Sequence, residues 1–172
     1  FMTEYTVDHS IPATDENVHS EWDRTLEPVV KAEPGDVVSF DCRDAWDGLI
    51  DEETTPEGVP DALEQRDGGM PITGPVAVDE GRPGDVLAIE ILDVEHDDWG
   101  WTSFRPREDE FGLLYEDFED WGLHYWHLED GVGRFVDGIE VPLDPFPGTI
   151  GLAPGDASQR SMGPPHDAGG NM

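Results

Sequence analysis

Apolar positions along this chain recur with period two over short stretches and seldom with the 3.6-residue period of a helix. Val86–Val94 shows the alternation best: Leu87, Ile89 and Ile91 share one face, while Ala88 and Glu90 take the other. That pattern predicts a strand with one face in a core. Further strands are predicted at Val37–Cys42, Val76–Val78 and Gly148–Leu152. Fifteen prolines and twenty glycines interrupt the chain every few residues, which favours short strands and turns over helices. One turn signal recurs: Glu33-Pro34-Gly35-Asp36 and Arg82-Pro83-Gly84-Asp85 each precede a strand, and Ala153-Pro154-Gly155-Asp156 follows a third. Recurrent β-turn chemistry accounts for it. The expected fold is all-β, a β-sandwich or jelly-roll-like barrel with long irregular loops and few short helices, in a single domain over 1–172.

Two stretches depart from this pattern. Glu52–Asp67 reads as an acidic loop with a short helix around Asp61–Arg66. Asp93–Gly133 is long, polar and dense in aromatics between Trp99 and Trp126. It reads as an ordered excursion over the sheet or as a partner surface, packing being the commoner use of such aromatics. As an interface it would make the protein a homo-oligomer. His124 and His127 would share a face only on a helix, and without a third ligand a packing role is favoured.

Composition changes the picture in one respect. The 172 residues, 36% of them hydrophobic, suffice for a real core. There are 41 Asp and Glu against 9 Lys and Arg, giving a formal net charge of -32, and Lys31 is the only lysine. Nucleic acid is excluded as a partner, because neutralising phosphates takes basic groups. A secreted calcium binder and a halophilic cytoplasmic protein remain. The acids are scattered rather than set at calcium-ligand spacing, which favours the halophile and a cytoplasmic location. No apolar run approaches membrane-spanning length, and no basic or apolar signal region opens the chain. Cys42, the single cysteine, is expected as a buried structural thiol on the Val38/Phe40 face of its strand.

No nucleophile elbow, phosphate loop, dinucleotide fingerprint or clustered zinc spacing is present. What points to a function is three motifs in order. The first is Met70-Pro71-Ile72-Thr73-Gly74-Pro75-Val76 leading into Arg82-Pro83-Gly84-Asp85-Val86-Leu87. The second is Pro145-Phe146-Pro147-Gly148-Thr149-Ile150-Gly151-Leu152-Ala153-Pro154. The third is Gly163-Pro164-Pro165 followed by Gly169-Gly170-Asn171-Met172. With the early segment His19-Ser20-Glu21-Trp22-Asp23, the set resembles the acetamidase/formamidase family over nearly the whole chain.

That resemblance implies a distorted β-sandwich that hydrolyses a small amide, formamide or acetamide, to carboxylate and ammonia. It also implies a divalent metal, zinc first and calcium as the alternative, that activates water. His19, Asp44 and Asn171 are the candidate metal ligands. Asn171, Thr73 and His19 are the candidate catalytic groups: an amide to hold water or carbonyl, a hydroxyl in a rigid turn, and a proton shuttle. Gly169-Gly170 would let backbone approach a small substrate closely. Simpler readings stand beside these: His19 packed near Trp22, Asp44 capping a turn, and Thr73 in a structural turn. Met70 and His166 depart from the family pattern. Family members continue past the third motif into a second β-rich part, so the remaining C-terminal part of the same protein is an expected partner. These 172 residues alone are expected to be inactive. The alternative function is a catalytically inactive, metal-stabilised β-domain or assembly module.

The charge yields the first prediction. Self-repulsion at -32 is screened by salt, so the thermal midpoint should climb as KCl rises from about 0.1 M to molar concentrations. A flat or falling midpoint would contradict the halophilic reading.

Overall fold

The computed structural model describes residues 5–66, 69–106 and 114–155, and the backbone at 159–161 and 169–171. It is built mainly of short strands, with one α-helix among the described residues. The all-β expectation holds. The chain divides into two compact units: 1–48, 67–90 and 147–172 form the first, 49–66 and 91–146 the second.

The first unit is assembled from two-stranded ladders. β1 (His9–Ile11) runs parallel to β5 (Val38–Phe40), and β4 (Val30–Ala32) parallel to β7 (Val76–Val78). β2 (Val18–His19) pairs antiparallel with β6 (Ile72–Thr73). β3 (Glu21–Asp23) pairs antiparallel with β13 (Gln159–Ser161), and β12 (Thr149–Gly151) with β14 (Gly169–Asn171). Ile11, Trp22, Ala32 and Trp46 are its buried apolar residues. Both complete Pro-Gly-Asp turns close in the same way. The Asp36 amide donates to the Glu33 carbonyl at 3.0 Å, and the Asp36 carboxylate accepts from the Glu33 amide at 2.8 Å. Asp85 and Arg82 repeat this at 3.0 and 2.9 Å. The carboxylate thus satisfies a donor that the turn leaves open. His9 also bonds Asp36, at 3.0 Å, and the Glu33 amide and His9 together hold the Asp36 carboxyl below its ordinary range.

The second unit holds an antiparallel meander in the order β11 (Glu140–Pro142), β10 (Val132–Arg134), β9 (Gly122–Glu129), β8 (Trp99–Phe104). The α-helix, Val59–Gln65, begins with Pro at its first turn and buries Val59 and Ala62, where proline loses no helical bond. The aromatic excursion thus contributes two paired strands, Trp99–Phe104 and Gly122–Glu129. The β9–β10 turn, Asp130-Gly131, has positive φ at both residues (53° and 75°), the hairpin geometry that Asp-Gly favours. On β9 successive side chains alternate faces, so His124 and His127 cannot share a metal as they would on a helix. His124 instead packs edge-on against Trp126 and Phe135, with ring centroids 4.7 Å away in each case. The Tyr125 hydroxyl donates to the carbonyls of Asp51 and Thr54, tying the strand to the loop before the helix.

Three sequence expectations are corrected. Val86–Val94 forms no ladder: it carries no regular secondary structure, is exposed from Val86 to Asp93, and has no strand partner among the described residues. The strand predicted at Val37–Cys42 stops at Phe40: the Asp41 amide still donates to the Ile11 carbonyl at 2.9 Å, but the Asp41 carbonyl accepts the Thr73 hydroxyl at 2.7 Å. Cys42 therefore lies beyond the strand and is exposed, not buried. Partial burial of the sulfur and the Asp41 charge push its thiol pKa up, opposite to what a nucleophile needs.

Trp22 anchors the first unit, with Met70 and Ile72 packed on it. A Cβ at Gly151 would lie 2.5 Å from the Trp22 ring, so only glycine admits the indole there. Gly151→Ala should destabilise the protein by about 1–3 kcal/mol through overpacking, and Trp22→Ala by about 3–5 kcal/mol. Gly155→Ala, with open space around its position, is the neutral control. Denaturant unfolding in molar salt checks the order; equal stability of the two glycine variants would contradict the packing.

Candidate functional site

Four of the segments singled out in the sequence converge in the first unit. His19 and Ile72 are directly opposed on β2 and β6, and Val18 faces Thr73. Ile72 packs on Trp22, three residues beyond His19. The Trp22 ring lies against Gly151 of the second motif. Gly151 pairs with Gly169 of the third motif, and Thr149 with Asn171. A continuous path of contacts thus runs from His19 through Ile72 and Trp22 to the Gly169–Asn171 strand. Trp22, which the sequence offers only as a neighbour of His19, is the element that joins these segments. Its place in His19-Ser20-Glu21-Trp22-Asp23 was the available signal. Met70, a departure from the family pattern, finds a physical role as a cover for the indole, the gap-filling use of a thioether.

The individual groups differ in readiness. His19 is half-buried. Burial pushes its pKa below the ordinary 6.5, against a smaller upward pull from Asp23, so the ring is neutral at pH 7 and can accept a proton. The Thr73 hydroxyl donates to the Asp41 carbonyl at 2.7 Å, which locks the turn leading into the cis Gly74-Pro75 bond. The Asp44 carboxylate accepts the Trp46 amide at 2.9 Å and the Gly48 amide at 2.6 Å, the pattern of a turn-capping aspartate. The Trp22 indole N–H is buried with no acceptor among the described residues, a donor that ordinarily finds a partner. His166, Phe111 and the Asn171 side chain lie outside the described residues.

A metal fits this set poorly. Among the described residues no group of three His, Cys, Asp or Glu side chains could hold an ion, and both Asp44 oxygens already accept backbone N–H groups. In the second unit a shallow hollow of about 370 Å³ is lined by Asp51, Glu53, Thr54, Thr55 and Asp61, among others; none of the candidate groups lines it. Among the described residues no helix is long and apolar enough to cross a membrane.

The fold is that of solved acetamidases. The chain matches the crystal structure of the acetamidase from Bacillus halodurans with a TM-score of 0.79 at 29% identity, over 94% of this chain and 52% of that one. It is 26% identical over 164 residues to the acetamidase of Mycolicibacterium smegmatis, 87% of this chain and 40% of that protein. It is 27% identical over 146 residues to the formamidase of Methylophilus methylotrophus, 81% of this chain and 35% of that protein. The sequence pattern of the Acetamidase/Formamidase family matches residues 5–162, a stretch that includes His19, Asp44 and Thr73 and stops short of Asn171. This chain belongs to the acetamidase/formamidase family. It spans 40% or less of the length of these two curated relatives and about half of the solved structure.

The His19 environment sets a pH dependence. Its folded pKa is depressed, so below 6.5 the unfolded chain binds the extra proton, and this contribution to stability falls as pH drops toward the folded value. Comparing His19→Gln with the parent between about pH 7.5 and pH 5, the parent should lose more stability on acidification. Parallel pH curves would show that His19 is not held neutral by burial.

Proposed function

We propose that this chain is part of a hydrolase that cleaves a small aliphatic amide, formamide or acetamide, to the carboxylate and ammonia. Family membership supports amide hydrolysis; the specific amides follow the names of the relatives. The observation that carries the site is the contact path joining His19, through Trp22, to the ladder between the second and third motifs. In the proposed chemistry the neutral His19 ring accepts a proton from the attacking water. A C–O bond forms as the C–N bond breaks, and a proton passes to the departing ammonia. Asn171 orients the carbonyl or the water. Zinc or calcium, the family-implied ions, would require ligands beyond those among the described residues. A cytoplasmic, salt-rich setting and a homo-oligomeric assembly complete the proposal.

A second reading draws on a specific observation. Asp44 and Thr73 are both engaged in local structure, as in a β-domain that keeps the fold without the chemistry. Ammonia release from formamide and acetamide by the natural polypeptide containing these residues, in molar salt with divalent metal supplied, separates the two. Release that falls at least about 100-fold in His19→Gln supports catalysis with a proton shuttle. No release from either amide sinks the substrate assignment and leaves the non-catalytic reading.

A further inference from the structure

The ladder that sets His19 opposite Ile72 has two residues in each strand, too few to hold its register unaided. On the C-terminal side of His19 the chain is fixed by Trp22. On the N-terminal side it is held by Arg43. The Arg43 Nε and Nη2 donate to the Ala13 carbonyl at 3.0 and 2.8 Å. Nη2 also donates to Asp15 at 2.6 Å, and Nη1 to Asp47 at 3.1 Å. The Asp47 bond, the two amides that Asp44 accepts and the burial of Trp46 make the turn 43–48 a firm base for the guanidinium. Two further bonds close the circuit. The Gly74 amide donates to the Asn17 carbonyl at 2.9 Å, and the Thr73 hydroxyl to the Asp41 carbonyl at 2.7 Å. Segments 13–19, 41–48 and 72–74 are thereby tied pairwise, and they carry His19, Asp44 and Thr73.

We propose that Arg43 is a positioning residue: its fork holds the segment leading into β2, and so sets where the His19 ring stands. The inference rests on the reading of His19 as the proton acceptor. Arg43 acts through the chain it holds, and the chemistry of the group suits that task. A planar guanidinium grips a carbonyl and two carboxylates at once, which a lysine ammonium at the same place cannot reproduce. The side chains of Asp15 and Asp47 are 97% and 50% exposed, so their attraction to Arg43 fades in molar salt. The two bonds to the Ala13 carbonyl involve no second charge. The tether to residue 13 therefore persists at high ionic strength.

Arg43→Lys keeps the charge and removes the fork. In the natural polypeptide in which these residues occur, in molar salt, hydrogen exchange at two amides of the first unit reads the tether. The Gly74 amide reports the bond to Asn17 and should exchange about 10-fold faster or more in the variant. The Asp79 amide, which donates to the Ala32 carbonyl at 2.7 Å, should keep its parental rate. Equal acceleration of both amides would make Arg43 a general stabiliser and overturn the proposal, as would an unchanged rate at Gly74. With formamide or acetamide, kcat should fall about 10- to 100-fold while KM stays within about 2-fold of the parent. Arg134→Gln, which removes exposed pairs in the second unit, should leave kcat at the parental value. A parental kcat in Arg43→Lys, where His19→Gln abolishes release, overturns the positioning role. Absence of release from the parent would instead refute the proposed reaction, and exchange at Gly74 would still decide whether Arg43 places β2.

Discussion

The contact between the Trp22 indole and Gly151 is what the first unit depends on. Its ladders are two or three residues long, and such short pairs are marginal without apolar burial against them. Trp22, 5% exposed, reaches from β3 to β12 and takes Met70 and Ile72 with it. A single large ring thereby brings segments from residues 19, 72, 151 and 169 into one neighbourhood. Glycine at 151 is the condition for that approach, and the Gly169 pairing places the third motif on the far side of the same ladder.

The acidic surface acts on the fold without defining it. Among the described residues no polar or charged residue is buried, so the charge is carried on exposed side chains. The few cations are drawn into local pairs. Arg43 bonds Asp15, Asp47 and the Ala13 carbonyl. Lys31 pairs with Asp79, and Arg134 lies near Glu129 and Glu140. Exposed pairs of this kind contribute little individually. Burial of a handful of apolar residues in each unit must therefore hold against mutual repulsion, and ionic strength shifts that balance.

Much of this was legible in the sequence because it is local. The Pro-Gly-Asp turns at Glu33–Asp36 and Arg82–Asp85 form as their residues dictate, and Val76–Val78 and Val59–Gln65 fall close to the predicted strand and helix. Motif order identified the family, which the matches establish. What was not legible depends on partners. Alternation at Val86–Val94 reports a strand's faces, but nothing in those residues says whether another strand lies beside them. The exposure of Cys42 is not legible locally, because beyond Phe40 the Asp41 carbonyl bonds the hydroxyl of Thr73, far away in sequence. The strands of the aromatic excursion were missed although Asp130-Gly131 marks a hairpin. At the candidate site, His19 could be singled out by type, but its neutrality comes from burial by tertiary packing. The engagement of Asp44 with its own turn was foreseeable from aspartate chemistry.

The central claim is that Trp22 seats on the Gly151 strand and so joins His19 to the paired motifs. Proton NMR of the chain in molar salt tests it most directly. An α proton of Gly151 should be shifted upfield by the indole ring current and show a nuclear Overhauser contact to the Trp22 ring, and Trp22→Leu should abolish both. A Gly151 resonance at its random-coil position, with no contact to Trp22, would contradict the account.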